Sequence, residues 1–134
     1  MKTISKLLSC LLILLSVFYF SQGQTNLLIN TEWNGIANIP TPVEVTFKFS
    51  ADSVDLVYQG MTVEKMKFAF SDQGNLTLMK IDGNSPCSFQ DKSVYKYKID
   101  ADVLTLTVVN DDCEDRKIAF DGNSYKKVLP TITQ

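Results

Sequence analysis

Residues 108–120 read VVNDDCEDRKIAF, and eight positions within that stretch, 110–117, hold four acids, a cysteine and the chain's only arginine. Carboxylates at this density suggest two kinds of chemistry. One is a cage for a hard cation such as calcium, which takes about six to eight oxygen ligands. The other is a turn in which one carboxylate of Asp111, Asp112, Glu114 and Asp115 pairs with Arg116 and the rest are solvated. The spacing has neither the central glycine nor the closing bidentate Glu of an EF-hand loop, which favours the turn. No metal is assigned.

Catalytic chemistry is poorly supplied. The 134 residues contain no histidine, which removes Ser-His-Asp and Cys-His pairs, His-ligated zinc and the usual base tuned near neutrality. A carboxylate pair could still do glycosidase-type work, but the acids of the strand-like segments fall opposite the aromatics or in turns. Lys65 and Lys80 interrupt otherwise apolar registers, where a lysine inside a barrel could receive a carboxylate ligand. Lysine is rarely buried without a partner, so each reads as a strand end or an outward twist. No glycine-rich phosphate loop occurs. The chain reads as a protein without catalytic residues or cofactor.

The first 23 residues carry two lysines, then an apolar run, LLSCLLILLSVFYF, then SQG. That is the pattern of a secretory signal cleaved after Gly23. The run is short for a membrane span, which needs roughly 20 apolar residues. Cys10 lies inside the run rather than after it, unlike a lipobox cysteine. Residues 24–134 are then one exported domain, periplasmic or extracellular, that does not span the membrane. Removing Lys2 and Lys6 leaves 11 basic residues against 15 acids, a formal charge of −4. Such a chain lacks the basic face that nucleic acid requires. In an oxidising compartment the two remaining cysteines, Cys87 and Cys113, have one possible pairing, a disulfide.

From residue 31 onward the hydrophobic period is two. PVEVTFKFS at 42–50 sets Val43, Val45, Phe47 and Phe49 against Glu44, Thr46 and Lys48. SVDLVYQ, TVEKMKFAF, NLTLMKI, SVYKYKI and VLTLTVV continue the alternation, followed by RKIAF and SYKKV, so that Arg116 opens the penultimate strand. No segment shows a convincing helical pattern. Turn chemistry separates the runs: SAD, QG, SDQGN, DGNSP, DAD and DGNS. These features predict an all-β fold, a small antiparallel up-and-down barrel of about eight or nine strands.

NTEWNG, residues 30–35, and the tail Asp111, Cys113, Arg116, Gly122, Tyr125 together resemble small exported bacterial proteins of the lipocalin-like (calycin) type. The resemblance implies that Arg116 packs across Trp33 and closes the barrel. The supply of aromatic and apolar side chains on one strand register, Phe47, Phe49, Tyr58, Phe68 and Phe70 with Leu104 and Leu106, suggests the lining of a small apolar ligand, and the resemblance makes such binding the first expectation. An eight-stranded barrel can equally fill its interior with such side chains. The alternative is then a filled barrel acting as a protein-interaction or inhibitor module in the cell envelope, with Asp111, Asp112, Glu114 and the Asn38–Pro42 loop as contacts.

Overall fold

The computed structural model describes residues 27–71 and 73–132; the expected signal, residues 1–23, lies outside them. The strands are β1 (Glu32–Asn38), β2 (Pro42–Phe49), β3 (Ser53–Tyr58), β4 (Met61–Phe70), β5 (Leu76–Gly83), β6 (Ser93–Asp100), β7 (Val103–Asp111) and β8 (Ser124–Lys127). Each pairs antiparallel with its neighbour in sequence, and β8 returns to β1, so the sheet closes as an eight-stranded up-and-down barrel. Closure leaves no free strand edge.

Alternation decides which side chains fill the inside. In β2, Val45, Phe47 and Phe49 are buried while Lys48 is exposed. Two tight hairpins set the registers: Gln59 and Gly60 between β3 and β4, Ala101 and Asp102 between β6 and β7, all with positive φ. Two successive left-handed residues give the turn whose twist matches the flanking strands. Ala101 enters that region without glycine's freedom, at a cost of about 1–2 kcal/mol.

The interior is stacked with rings. Phe47 meets Tyr125 edge-on at 4.9 Å and Phe49 meets Phe68 at 5.2 Å. Phe68 meets Phe70 at 5.7 Å, and Phe70 meets Tyr97 at 5.5 Å. Edge-to-face pairs add about 0.5–1.5 kcal/mol each beyond their buried area. The seam between β1 and β8 has three registered pairs, Trp33 with Lys127, Asn34 with Lys126 and Gly35 with Tyr125. A Cβ on Gly35 would sit 2.6 Å from both the Ser124 carbonyl and Tyr125 Cδ1. Glycine is therefore what lets Tyr125 lie against β1.

RKIAF is not a strand. Residues Glu114–Phe120 form a helix, α1, between β7 and β8. Glu114 and Asp115 occupy its first turn, where acids suit the helix dipole, and Lys117 its last. The buried positions are Arg116, Ala119 and Phe120, spaced three and four apart, whereas Ile118 is half exposed. A buried arginine and an outward isoleucine invert the usual hydropathy, so the helical period was hidden. Phe120 docks the helix by stacking edge-on against Phe47 at 5.0 Å.

Candidate functional site at the barrel mouth

Chain direction puts α1, the Asn38–Thr41 loop, the β3–β4 hairpin and the long β5–β6 connection at one end of the barrel. A cavity of about 580 Å³ opens there, within the range of about 300–1,000 Å³ typical of small-molecule sites. Its floor is Leu56 and Met66 from the barrel interior, and its roof is Ala119 and Phe120 of α1. Ile39, Pro40 and Ile118 form part of the rim, and residues 84–87 form another wall.

The aromatic set singled out from the sequence lies elsewhere. Phe47, Phe49, Phe68, Leu104 and Leu106 are buried in the packed core, with Tyr58 and Phe70 packed against it. None lines this cavity; the rings of Phe47, Phe49, Phe68 and Phe70 stack upon one another inside the barrel instead.

Two buried charged networks stand in the cavity walls. In β4, Glu64 shares the inward register of Met66 and Phe68; in β5, Lys80 shares that of Leu78 and Leu76. Both are buried and lie 3.9 Å apart. This corrects two expectations, that Lys80 turns outward and that the strand acids avoid the aromatic face. Glu64 accepts hydrogen bonds from the Ser85 hydroxyl at 2.6 Å and the Ser85 amide at 3.2 Å. Lys80 donates to the Ser85 carbonyl at 2.6 Å and lies 5.5 Å over the Phe89 ring. A bulge opposite Lys65 and Met66 leaves Ile81 and Asp82 as consecutive exposed side chains, so Lys80 and Gly83 meet β4 in different registers. A Cβ on Gly83 would come within 2.2 Å of Glu64 Oε2; glycine there lets the carboxylate lie against the backbone.

The second network answers the opening cluster. The Asp111 carboxylate is fully buried and takes Arg116 bidentately, Oδ2 from Nε at 2.8 Å and Oδ1 from Nη2 at 2.7 Å. Oδ2 also accepts from the Tyr95 hydroxyl at 2.6 Å, and Oδ1 from the Cys113 amide at 2.9 Å. Arg116 Nη2 donates further to the Asp91 carbonyl at 3.1 Å. Burial disfavours the Arg116 charge, but the bonds and charge of Asp111 outweigh it, so its pKa lies above the ordinary guanidinium value. Burial, then the bond to Asp111, raises the Tyr95 pKa well above that of a free phenol. Among the described residues, buried Arg116 Nη1 has no hydrogen-bond partner, which costs about 1–3 kcal/mol for an unsatisfied donor.

The other three acids do not converge on one site. Asp112 accepts from the Lys92 amide, Glu114 faces Lys117 at 3.6 Å, and exposed Asp115 stands on the cavity wall. The four carboxylates form no common cage. Among the described residues, Cys87, Asp91 and Cys113 bring potential ligand atoms within 4.8 Å of one another. The two sulfurs are bonded to each other at 2.03 Å, with Cα atoms 5.4 Å apart, and a disulfide offers no thiolate. This expected disulfide joins the Ser85 wall to the start of α1.

The cation over Trp33 is Lys127, 6.0 Å from the ring. Arg116 does not take the closing role that the resemblance implied, because α1 carries it to Asp111 instead. Trp33 is buried, and its Nε1 donates to Thr31 Oγ1 at 2.7 Å. Among the described residues no helix is long and apolar enough to cross a membrane. No protein-family model matches the chain, and neither a curated protein nor a solved structure matches it.

Proposed function

We propose that this chain is an exported, lipocalin-like barrel that carries a small apolar ligand in its mouth and performs no catalysis. The observation that carries this reading is the cavity of about 580 Å³ floored by Leu56 and Met66 and roofed by Ala119 and Phe120. The disulfide is compatible with export to the periplasm or the medium. Lipocalin-like membership rests on the Trp33 and Asp111–Tyr125 patterns together with the barrel.

The test is native mass spectrometry of the exported protein, followed by titration with apolar probes. A cargo mass lost on organic extraction, and saturable one-to-one binding afterwards, are expected. Ala119→Leu enlarges a side chain that lines the cavity and should reduce that binding at least tenfold, at a stability cost of about 1–3 kcal/mol that leaves the protein folded. Unaltered binding in this variant would remove the mouth as the site.

A second reading, a protein-interaction or inhibitor module, is favoured by one observation. The same end of the barrel exposes Met61, Phe89 and Ile118, at 64%, 60% and 51%. Large exposed apolar side chains at one end suit a protein partner. If that reading holds, Phe89→Ser should abolish capture of a partner from the exported fraction and leave probe binding intact.

A further inference from the structure

The depth of the cavity follows from the strands that form it. β4 runs inward from the mouth and contributes Val63, Glu64 and Met66 to the lining, and β3 contributes Leu56. Three steps along a strand, from Val63 to Met66, cover about 10 Å. The next inward side chains, Phe68 on β4 and Val54 on β3, are buried in the core, and neither lines the cavity. Phe68 is flanked edge-on by Phe49 at 5.2 Å and by Phe70 at 5.7 Å. A ligand passing below Met66 would have to displace rings that already pack against one another, and close-packed cores resist such insertion.

The width is bounded as well. Eight strands about 4.8 Å apart, tilted by about 40°, enclose a backbone circle about 15 Å across, part of which side chains occupy. Over it lies α1, docked by the stack of Phe120 on Phe47 at 5.0 Å. Each methylene moved from water into such a space tightens binding about fourfold, as long as it finds room. Three bonds of an extended chain span about 3.5 Å, so about nine bonds reach from rim to floor. Methylenes beyond that stay in water and add nothing to binding here, whereas a membrane continues to favour them.

We propose that the mouth selects apolar molecules of short reach, about ten carbons or fewer when linear, over long-chain lipids, and that Met66 sets this limit as the floor. The inference rests on the cavity reading above and narrows its ligand class.

Hexanol, octanol, decanol, dodecanol and tetradecanol share one head and differ only in reach. Their equilibrium binding to the oxidised protein, measured by dialysis and gas chromatography, tests the idea. From hexanol to octanol the affinity should rise about fifteenfold, and from dodecanol to tetradecanol by less than about threefold. A larger gain at that last step overturns the inference and leaves the cavity reading standing. Saturable binding by none of them overturns the cavity reading, and this inference with it. Met66→Ala lowers the floor and should tighten dodecanol about fourfold or more relative to hexanol. An unchanged ratio in the folded variant also overturns the proposal. Should that variant not fold, the alkanol series in the unaltered protein still decides.

Discussion

The two ends of the barrel are built from different materials. At the end where the chain enters, Leu28 and Trp33 are almost wholly buried and Thr31 ties the first turn to β2 through the Phe49 amide. Inside, packed rings run from Phe47 through Phe49, Phe68 and Phe70 to Tyr97. The mouth instead holds two buried ion pairs, a disulfide, a two-turn helix and a cavity. Rings give stability without needing partners, whereas buried charges are tolerated only while each partner stays in place. The mouth is therefore where the fold carries interactions that hydrophobic packing does not require.

The largest effects should separate these two kinds of material. Asp111→Ala leaves the Arg116 charge buried without its carboxylate and should cost about 3–5 kcal/mol in denaturant unfolding. Replacing Asp111 and Arg116 together by apolar residues of similar size should recover much of that loss, since a buried pair can often be exchanged for packing. A double variant no more stable than the single one would contradict this account of the mouth. Trp33→Ala at the closed end should cost a similar 3–5 kcal/mol through lost packing. Here no second substitution should compensate, so failure of compensation marks the packed end just as its success marks the mouth.

The disulfide comes next. It closes a loop of 26 residues, for which the chain-entropy model gives about 3.5 kcal/mol. Replacing Cys87 and Cys113 together by Ser should lower stability by about that amount, and reductant should lower the wild type equally. Because the bond joins the Ser85 wall to α1, amide exchange should quicken at Ser85 and along 113–120 more than at Trp33 or Val54. Uniform loss of protection would show that the bond acts only through the unfolded chain.

How much of this could be read beforehand differs between the same two regions. The packed interior was legible because β2, β3 and β4 bury every second side chain, and period two is visible in sequence. The mouth was not, because its logic is pairwise across distant positions. Glu64 sits in register with Met66 and Phe68, and Lys80 with Leu78, on strands that pair with each other. An acid and a base at inward positions of adjacent strands were the available signal, missed because each was weighed alone. The helix was hidden for a related reason. Its buried face includes Arg116, whose desolvation is offset by Asp111 five residues earlier, outside any helical period. The cysteines were legible because a count of two leaves one pairing, although their position between the cavity walls was not.

The smallest effect concerns alkaline pH, and it again divides the two regions. Burial raises the pKa of Tyr95 at the mouth, reinforced by its bond to Asp111, and burial raises that of Tyr125 in the packed interior. In the unfolded chain both phenols ionise near pH 10, while the folded protein keeps them neutral. Above that pH the unfolded state binds fewer protons than the native state, so stability must fall as pH rises. The contribution is fully present below about pH 10 and is lost above it, with each tyrosine adding about 1.4 kcal/mol per pH unit to the slope. Asp111→Asn removes the charge that helps hold the Tyr95 proton and should bring its ionisation to lower pH, as read by phenolate absorbance. Among the described residues Tyr125 has no such carboxylate partner, and it should titrate only with global unfolding in both proteins. If the variant and wild-type absorbance curves superimpose, burial alone governs Tyr95, and the Asp111 network has no part in keeping that phenol neutral.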